Sequence, residues 1–281
     1  MAEIFKNPAL PDYFTTLDGS SPSALENLAR LYESEKVILL ENRRVDFDAA
    51  FFSTVTLPAE RGYKKFKTYQ FVEGLRRGEN IYPDLAKDCF GGDRGKVRYF
   101  SEQLTSIVDQ ICALLDEAAA GYSIKTPRFT LRCAPTFNEN LHVDVYNDDI
   151  PTHHFRVFVN LDSAHRIWHT SLRLSDMLGR MSELPRSDLE TLSPGGLVKK
   201  LNFHVFGGID SVYEERGEPR HLAYFESGEI WFVDSRKVAH QIFYGRRAIS
   251  SESVVENDRM IHPENHYLAI AERQRRQLLA A

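Results

Sequence analysis

Short segments in which apolar and polar residues alternate, separated by turn residues, fill much of the second half of the chain. Successive side chains of a β-strand point to opposite faces, so such alternation predicts strands with one face toward a core. The predicted strands cover residues 128–134, 141–146, 154–161, 201–206, 221–225, 229–233, 240–244 and 248–255. Many short strands with turns between them are typical of two packed sheets. We therefore predict a mainly β protein with flanking helices and a double-stranded β-helix core (jelly roll, cupin-like).

Helical spacing of apolar residues marks the other elements. The predicted helices cover residues 24–35, 101–120, 171–191 and 266–280. Residues 36–41 form a short apolar run that predicts a buried strand, whereas residues 1–23 are rich in Pro, Gly and Ser and predict irregular structure. We expect an N-terminal helical and mixed extension (1–120) that packs on a jelly-roll core (121–281), the two forming one integrated domain.

The bulk properties indicate an ordinary globular protein rather than a nucleic-acid-binding or membrane protein. The net charge of -5 over 281 residues gives no support for nucleic-acid binding. Three scattered cysteines suggest neither a disulfide framework nor a cysteine-type zinc site, which fits a cytoplasmic location. No secretory signal and no transmembrane segment are expected from the hydropathy pattern. A small molecule is the expected partner, and the oligomeric state is left open.

One predicted strand carries a pattern with chemical meaning. In Leu141–Tyr146, His142 and Asp144 are two residues apart and therefore share a face, while the intervening valines point the other way. A histidine and a carboxylate from one strand, joined by a second histidine, form the facial triad that binds non-haem Fe(II). His240, which opens a later strand after a Gly-Glu-Ile-Trp-Phe turn, is the candidate for the third ligand.

Such a triad leaves three octahedral positions open, enough for a bidentate 2-oxo acid and dioxygen. The far carboxylate of 2-oxoglutarate then needs a cation, and arginine suits it because its planar fork binds carboxylate bidentately. Four arginines are candidates that the sequence does not rank: Arg132, Arg156, Arg246 and Arg247.

A family resemblance supports this interpretation. His142-Val-Asp144, Phe155-Arg-Val-Phe-Val-Asn160, Arg166-Ile-Trp168, Gly228-Glu-Ile-Trp-Phe232 and His240-Gln-Ile-Phe-Tyr-Gly245 resemble the Fe(II)/2-oxoglutarate-dependent dioxygenase superfamily. Within it, their order is similar to the Kdo hydroxylase family, which hydroxylates the sugar acid 3-deoxy-manno-octulosonate of lipopolysaccharide. The sequence follows that family only partly in the 201–218 region.

The resemblance implies that His142, Asp144 and His240 bind Fe(II), with 2-oxoglutarate and O2 as co-substrates. It implies hydroxylation of an unactivated C–H bond in a small polar substrate. A halogenase of this superfamily has a small residue in place of Asp144, so the carboxylate favours hydroxylation over chlorination, while desaturation and cyclisation stay open. Basic residues near the predicted strands favour a carboxylate-bearing substrate: Arg128, Arg132, Lys199, Lys200 and Arg220.

Three alternatives remain open from the sequence. The distal element also resembles amino-acid hydroxylases of the same superfamily, so a free amino acid competes with a sugar acid such as Kdo as substrate. A zinc hydrolase is conceivable from His165 and His169, which would share one face if residues 165–169 were helical. In a non-catalytic jelly-roll binding module, His142 and Asp144 would be ordinary polar residues.

Overall fold

The computed structural model describes residues 2–55, 68–71, 89–124, 127–137, 139–145, 152–207 and 217–281, with the backbone only for 68–71. Within these ranges the strands are β1 Glu3–Phe5, β2 Phe14–Asp18, β3 Val37–Glu41, β4 Thr68–Phe71, β5 Arg128–Arg132, β6 Thr136–Phe137, β7 Thr152–Asn160, β8 Arg166–Arg173, β9 His221–Phe225, β10 Ile230–Val233, β11 Val238–Gly245 and β12 Ala248–Glu256.

The helices of the described residues lie mostly outside the strands. They are α1 Pro22–Leu25, α2 Leu28–Tyr32, α3 Ala49–Thr54, α4 Arg94–Ala118, α5 Leu174–Leu178, α6 Arg186–Thr191, α7 Pro194–Phe206 and α8 Tyr267–Ala280, with a 3-10 helix at Gly179–Glu183. Across the described parts of the chain, none of the helices is long and apolar enough to cross a membrane.

The strands form two sheets that face each other. One has the order β2-β3-β10-β7-β12-β5-β4, and the other has the order β1-β9-β8-β11-β6. Every pairing is antiparallel except that of β2 with β3. From β5 to β12, sequential strands alternate between the two sheets except for β8 and β9, which are neighbours in the smaller sheet. This arrangement is the double-stranded β-helix predicted from the sequence, and that prediction is confirmed.

Apolar side chains pack on the outer side of each sheet and also between the two sheets. Helix α4 packs on the outer face of the larger sheet, where its apolar stripe meets Phe155, Val157 and Ile249. The interior between the sheets holds aromatic residues from both, among them Phe158 and Trp168. A third apolar cluster joins helices α5 to α8 to Leu141 and Val143. Helices therefore also flank the segment that contains His142.

Several elements differ from the sequence expectations. Residues 1–23 are not wholly irregular, because β1 pairs with β9 and β2 pairs with β3. The predicted helix 24–35 is two short helices, and the predicted helix 171–191 begins only after β8 ends at Arg173. Since β1 and β3 hydrogen-bond to strands of the second half, residues before 121 belong to both sheets. The domain division at 120/121 stays a prediction.

The predicted strand 201–206 is wrong, because these residues end helix α7. Ser193 caps the helix by accepting a hydrogen bond from the Gly196 amide, and Pro194 occupies the first turn. Gly207, with φ 81°, terminates it in the left-handed conformation that favours glycine. The apolar residues that suggested a strand in fact continue a helical stripe that begins at residue 197.

Candidate metal centre

Three side chains from two separate elements converge at one point in the interior. His240 lies on β11, and His142 pairs with it through an isolated bridge in which each amide donates to the other residue's carbonyl, at 3.1 and 2.8 Å. The Asp144 amide donates to the Ser235 carbonyl at 2.8 Å, in the turn between β10 and β11. Residues 141–145 therefore run beside β11 without forming a regular strand, and Tyr146 lies outside the described residues.

The ligand atoms of His142, Asp144 and His240 all lie within 4.8 Å of one another, and among the described residues no other such group is found. His142 Nε2 is 3.4 Å from Asp144 Oδ1. His142 Nδ1 is 2.7 Å from the Asn140 carbonyl, and His240 Nδ1 is 3.2 Å from the Val238 carbonyl. A carbonyl only accepts, so both Nδ1 atoms carry the proton and both Nε2 lone pairs are available to a metal.

The charges around these three residues keep the carboxylate ionised. Burial raises the pKa of Asp144, but the Arg156 guanidinium and the neighbouring histidines outweigh it and hold that pKa well below its ordinary value. Burial lowers the pKa of His142, and the Asp144 carboxylate reverses this to a net rise. Burial and the charge of His142 lower the pKa of His240 to about 4. Two imidazoles and a carboxylate in these states are a donor set for Fe(II).

Aromatic and aliphatic side chains close the site from the interior. The Trp168 indole stacks on the His240 ring with centroids 5.3 Å apart and planes at 21°. Phe158 packs edge-on against Trp168 at 4.9 Å, and Ile242 belongs to the same buried cluster. These contacts fix the orientation of the His240 ring and exclude water from one side of it.

Arg156, a predicted 2-oxoglutarate anchor, lies at the site but contacts a ligand residue. Its Nη1 donates to Asp144 Oδ2 and to the Ser235 hydroxyl, and its Nε is 3.8 Å from Glu252 Oε2. The Asp144 carboxylate thus presents Oδ1 toward His142 and Oδ2 toward Arg156. Such an outer hydrogen bond orients a ligating carboxylate so that one oxygen faces the metal.

Arg246 and Arg247, also predicted anchors, are both bonded to Asp162. Arg246 donates to both carboxylate oxygens at 2.7 Å, and Arg247 Nη1 donates to Oδ2 at 3.2 Å. Arg247 further donates to the carbonyls of Val55 and Ser53, each at 2.6 Å. These contacts join the loop before β8 to the turn after β11 and to helix α3.

Arg166 belongs to the Arg166-Ile-Trp168 motif but was not among the anchors predicted from the sequence. It is 3% exposed, and its Nε and Nη1 have no hydrogen-bond partner among the described residues. Burial, with the charge of Arg132 nearby, lowers its pKa to about 9, so it is still a cation at neutral pH. Its position two residues before Trp168 on β8 was the signal for an inward-facing side chain.

Arg132 lies close to Arg166 and on the inner face of the larger sheet. It follows Phe129 and Leu131, which point into the outer core, so Arg132 takes the opposite face. Its Nη1 donates to Glu139 Oε1 at 3.2 Å. Arg132 therefore adds a second positive charge to the interior around Arg166.

Three of the four other basic residues that suggested an acidic substrate lie apart from this interior. Lys199 and Lys200 are exposed on helix α7, and Lys200 Nζ is 3.5 Å from Asp188. Arg220 donates to Gln241 Oε1 at 3.0 Å, on the outer side of the smaller sheet. Arg128 shares the inner face of β5 with Arg132.

The zinc alternative required residues 165–169 to be helical, and the structure contradicts this. His165 is exposed before β8, and His169 lies on that strand. His169 Nδ1 is 2.7 Å from Gln241 Oε1, and its ring stacks on Phe243 at 4.6 Å. Among the described residues, neither histidine belongs to a group that could hold a metal ion.

Comparison with known proteins agrees with the fold. The two facing sheets and their strand order define the chain as a jelly-roll protein of the type found in 2-oxoglutarate and Fe(II) oxygenases. Structures of the Kdo hydroxylase KdoO, described as a non-heme Fe(II) alphaketoglutarate dependent dioxygenase, match over 93% of this chain and 95% of that one. Its complex with succinate and Fe(III) has a TM-score of 0.67 at 17% identity, and its cobalt(II) complex has a TM-score of 0.68 at 17% identity.

A third structure of the same hydroxylase, in complex with alphaketoglutarate and Fe(III), matches with a TM-score of 0.67 at 16% identity. No family model matches the chain, and no curated protein matches it. The predicted resemblance to the Kdo hydroxylase is thus confirmed at the level of fold.

Proposed function

We propose that this protein is a non-haem Fe(II)/2-oxoglutarate-dependent dioxygenase that hydroxylates an unactivated C–H bond of a small polar substrate. The observation that carries the proposal is the group His142, Asp144 and His240, whose ligand atoms lie within 4.8 Å of one another with both Nδ1 atoms bonded to main-chain carbonyls. The fold shared with the Kdo hydroxylase supports it.

The residues present fit Fe(II) because two imidazoles and one carboxylate are its facial-triad donors. Bound iron with 2-oxoglutarate and O2 supplies the oxidising power to replace a C–H hydrogen by a hydroxyl group, with succinate and CO2 as co-products. His142 and His240 would hold the metal through Nε2 and Asp144 through Oδ1, while Arg156 donates to Oδ2. Trp168 and Phe158 keep water away from the reacting centre. The carboxylate of Asp144 favours hydroxylation over halogenation.

We assign the far carboxylate of 2-oxoglutarate to Arg166, with Arg132 adding positive charge beside it. Arg156 is bonded to Asp144, while Arg246 and Arg247 are bonded to Asp162, so those predicted anchors serve other carboxylates. A buried guanidinium with two N–H groups lacking a partner is stabilised by a ligand carboxylate, which accepts a forked pair of hydrogen bonds.

Metal analysis tests the triad directly. Anaerobic titration with Fe(II) should give one tight site in the wild-type protein and no tight site in His142→Ala, Asp144→Ala or His240→Ala. His169→Ala is the matched control, since it removes a buried imidazole outside the group and should leave the Fe(II) stoichiometry unchanged. Retention of the tight site in all three ligand variants would refute the proposal, because these residues would then be ordinary polar residues and not metal ligands.

For the substrate we propose a carboxylate-bearing small molecule, a sugar acid such as Kdo or a free amino acid. Support comes from Arg128 and Arg132, which extend the inner face of β5. A succinate-release screen should include Kdo, other sugar acids and the free amino acids. Stimulation by sugar acids alone favours the Kdo-type reaction, and stimulation by amino acids alone favours the amino-acid hydroxylase. A nucleic-acid substrate is not expected at a net charge of -5, and a cytoplasmic location remains a prediction.

A further inference from the structure

Three consecutive backbone amides in the segment that carries two metal ligands are tied to three different parts of the fold. The His142 amide donates to the His240 carbonyl, and the Asp144 amide donates to the Ser235 carbonyl. Between them, the Val143 amide donates to the side-chain Oδ1 of Asn202 at 2.9 Å, across 59 residues of chain. Only this middle bond uses a side chain, so it alone can be removed by substitution.

Asn202 lies on helix α7, within the residues 201–206 for which the sequence predicted a strand. Its neighbours Leu197, Val198 and Leu201 are fully buried in the apolar cluster that also contains Val143. Asn202 itself is 7% exposed. Asparagine is a poor residue for a helix interior, and a buried amide in an apolar surrounding is costly unless its polar atoms are bonded.

The same helix contacts the metal-ligand segment at a second point. The carbonyl of Phe206, at the end of α7, accepts a hydrogen bond from Asn140 Nδ2 at 3.1 Å. The Asn140 carbonyl is in turn the acceptor for His142 Nδ1. Helix α7 therefore holds the segment on both sides of His142, through Asn140 two residues before it and Val143 directly after it.

We infer that Asn202 is a positioning residue for the metal centre. This inference rests on the proposed function, because the ligands it positions are those of the proposed iron site. By fixing the Val143 peptide, Asn202 holds the backbone in the conformation that points the side chains of His142 and Asp144 to the same side. A metal site depends on ligand placement to a few tenths of an ångström, so a partner outside the first shell controls affinity.

The test compares Asn202 variants with a control on the same helix. Asn202→Leu keeps the branched shape and the number of side-chain heavy atoms but removes the acceptor, and Asn202→Ala is the second variant in case the larger leucine does not fold. Asn202→Asp retains an oxygen in the same place. Val198→Ala is the matched control, one turn away in the same apolar cluster, and it weakens packing without removing a hydrogen bond of the metal-ligand segment.

Dissociation constants for Co(II) and Fe(II) are measured anaerobically beside the melting temperature of each variant. We expect Asn202→Leu or Asn202→Ala to weaken metal binding about 10- to 100-fold. Asn202→Asp should recover most of this loss, and Val198→Ala should lower the melting temperature with the metal affinity close to that of the wild type. Wild-type metal affinity in the folded leucine or alanine variant overturns the inference, as does an equal loss in Val198→Ala. Failure of the wild-type protein to bind either metal would instead overturn the proposed function.

Discussion

Arg247 and Arg166 are almost equally buried, at 4% and 3% exposed, but their surroundings differ. Arg247 bonds to the Asp162 carboxylate and to two main-chain carbonyls, in a group that Arg246 completes. Arg166 lies in the interior near a second arginine, and its Nε and Nη1 have no partner among the described residues. A buried cation with its own carboxylate serves the fold, whereas one without a carboxylate is suited to bind an anionic ligand.

This difference explains why the proposed 2-oxoglutarate anchor could not be chosen from the sequence. Arg246 and Arg247 follow the distal histidine, which made them attractive candidates, but Asp162 binds both and lies 84 and 85 residues away in the chain. The sequence shows where an arginine falls, and only the fold shows which carboxylate neutralises it. The comparison can be tested by removing one charge from each group.

The largest expected effect is on stability, from Asp162→Asn. The substitution leaves Arg247 buried without a carboxylate, and breaking a buried ion pair in this way costs about 3–5 kcal/mol. Chemical denaturation should show this loss in the free energy of unfolding, while the affinity for 2-oxoglutarate in the remaining folded protein stays near that of the wild type. A loss below about 1 kcal/mol would show that the Asp162 group is not what holds these loops together.

Arg166→Met should weaken 2-oxoglutarate binding and leave the free energy of unfolding undiminished, the reverse of what is expected for Asp162→Asn. Truncating one partner of a buried charge-assisted contact costs about 2–5 kcal/mol of binding, which corresponds to a rise of roughly 30- to 4000-fold in the dissociation constant for 2-oxoglutarate. Stability should be unchanged or higher, since an unpaired buried charge is removed. Calorimetric titration with 2-oxoglutarate checks this. Unchanged affinity would assign the anchor to another residue.

A smaller effect is expected from Gly245→Ala, which acts on Arg166 without replacing it. A Cβ at position 245 would lie 2.4 Å from Arg166 Nη1, the flexible end of that side chain, so the guanidinium must move. We expect about a 10- to 100-fold weaker 2-oxoglutarate affinity, since a hydrogen bond to a charged group contributes about 1.5–3 kcal/mol and the displaced guanidinium loses it. Gly179→Ala is the control, because nothing lies within 4 Å of its added Cβ. Equal effects of both variants would contradict the role of Arg166.

The smallest effect of a single substitution is expected on the pH dependence of stability. This dependence separates the contribution of Asp162, bonded to Arg246 and Arg247, from that of the buried histidines. Burial lowers the pKa of His266 to about 4 and lowers that of His153 well below its ordinary value. Below about pH 6.5 the unfolded chain takes up protons that these folded residues do not, so stability falls by up to about 1.4 kcal/mol per pH unit for each histidine. Unfolding free energies from pH 8 to 5 should decline, and His266→Gln should reduce the slope.

The Asp162 carboxyl contributes to stability in a lower pH range than the histidines. Burial raises its pKa, but the bonds from Arg246 and the Ala164 amide outweigh this and lower it. A lowered pKa stabilises the fold above the unfolded value of about 3.9, and this contribution is lost only as the pH falls further. Wild-type and Asp162→Asn curves should therefore run parallel from pH 7 to 5 and approach each other below about pH 4. If the two stability curves already converge at pH 6, the Asp162 carboxyl does not contribute in a lower pH range than the histidines, and the prediction is wrong.

Much of the fold and of the candidate metal centre could be predicted from sequence because local patterns determine them. The alternation of apolar and polar residues predicted the core strands. The two-residue spacing of His142 and Asp144 predicted that their side chains point to the same side of the backbone. Strand β1, with three residues, has no such pattern, because its partner β9 lies more than 200 residues later. Helix α7 was mistaken because its last turn is apolar enough to be a strand, and the helix cap that decides the matter begins at Ser193. The roles proposed for Asn202 and Arg166 depend on packing between distant elements, which no local pattern shows.

The most direct test of the central claim is the visible spectrum of the anaerobic protein with Fe(II) and 2-oxoglutarate. Chelation of the metal by the 2-oxo acid at this site should produce a weak charge-transfer band in the wild-type protein. The band should disappear in His240→Ala and require much more 2-oxoglutarate in Arg166→Met. The absence of any band in wild-type protein saturated with both, or an undiminished band in His240→Ala, would contradict the iron and 2-oxoglutarate site described here.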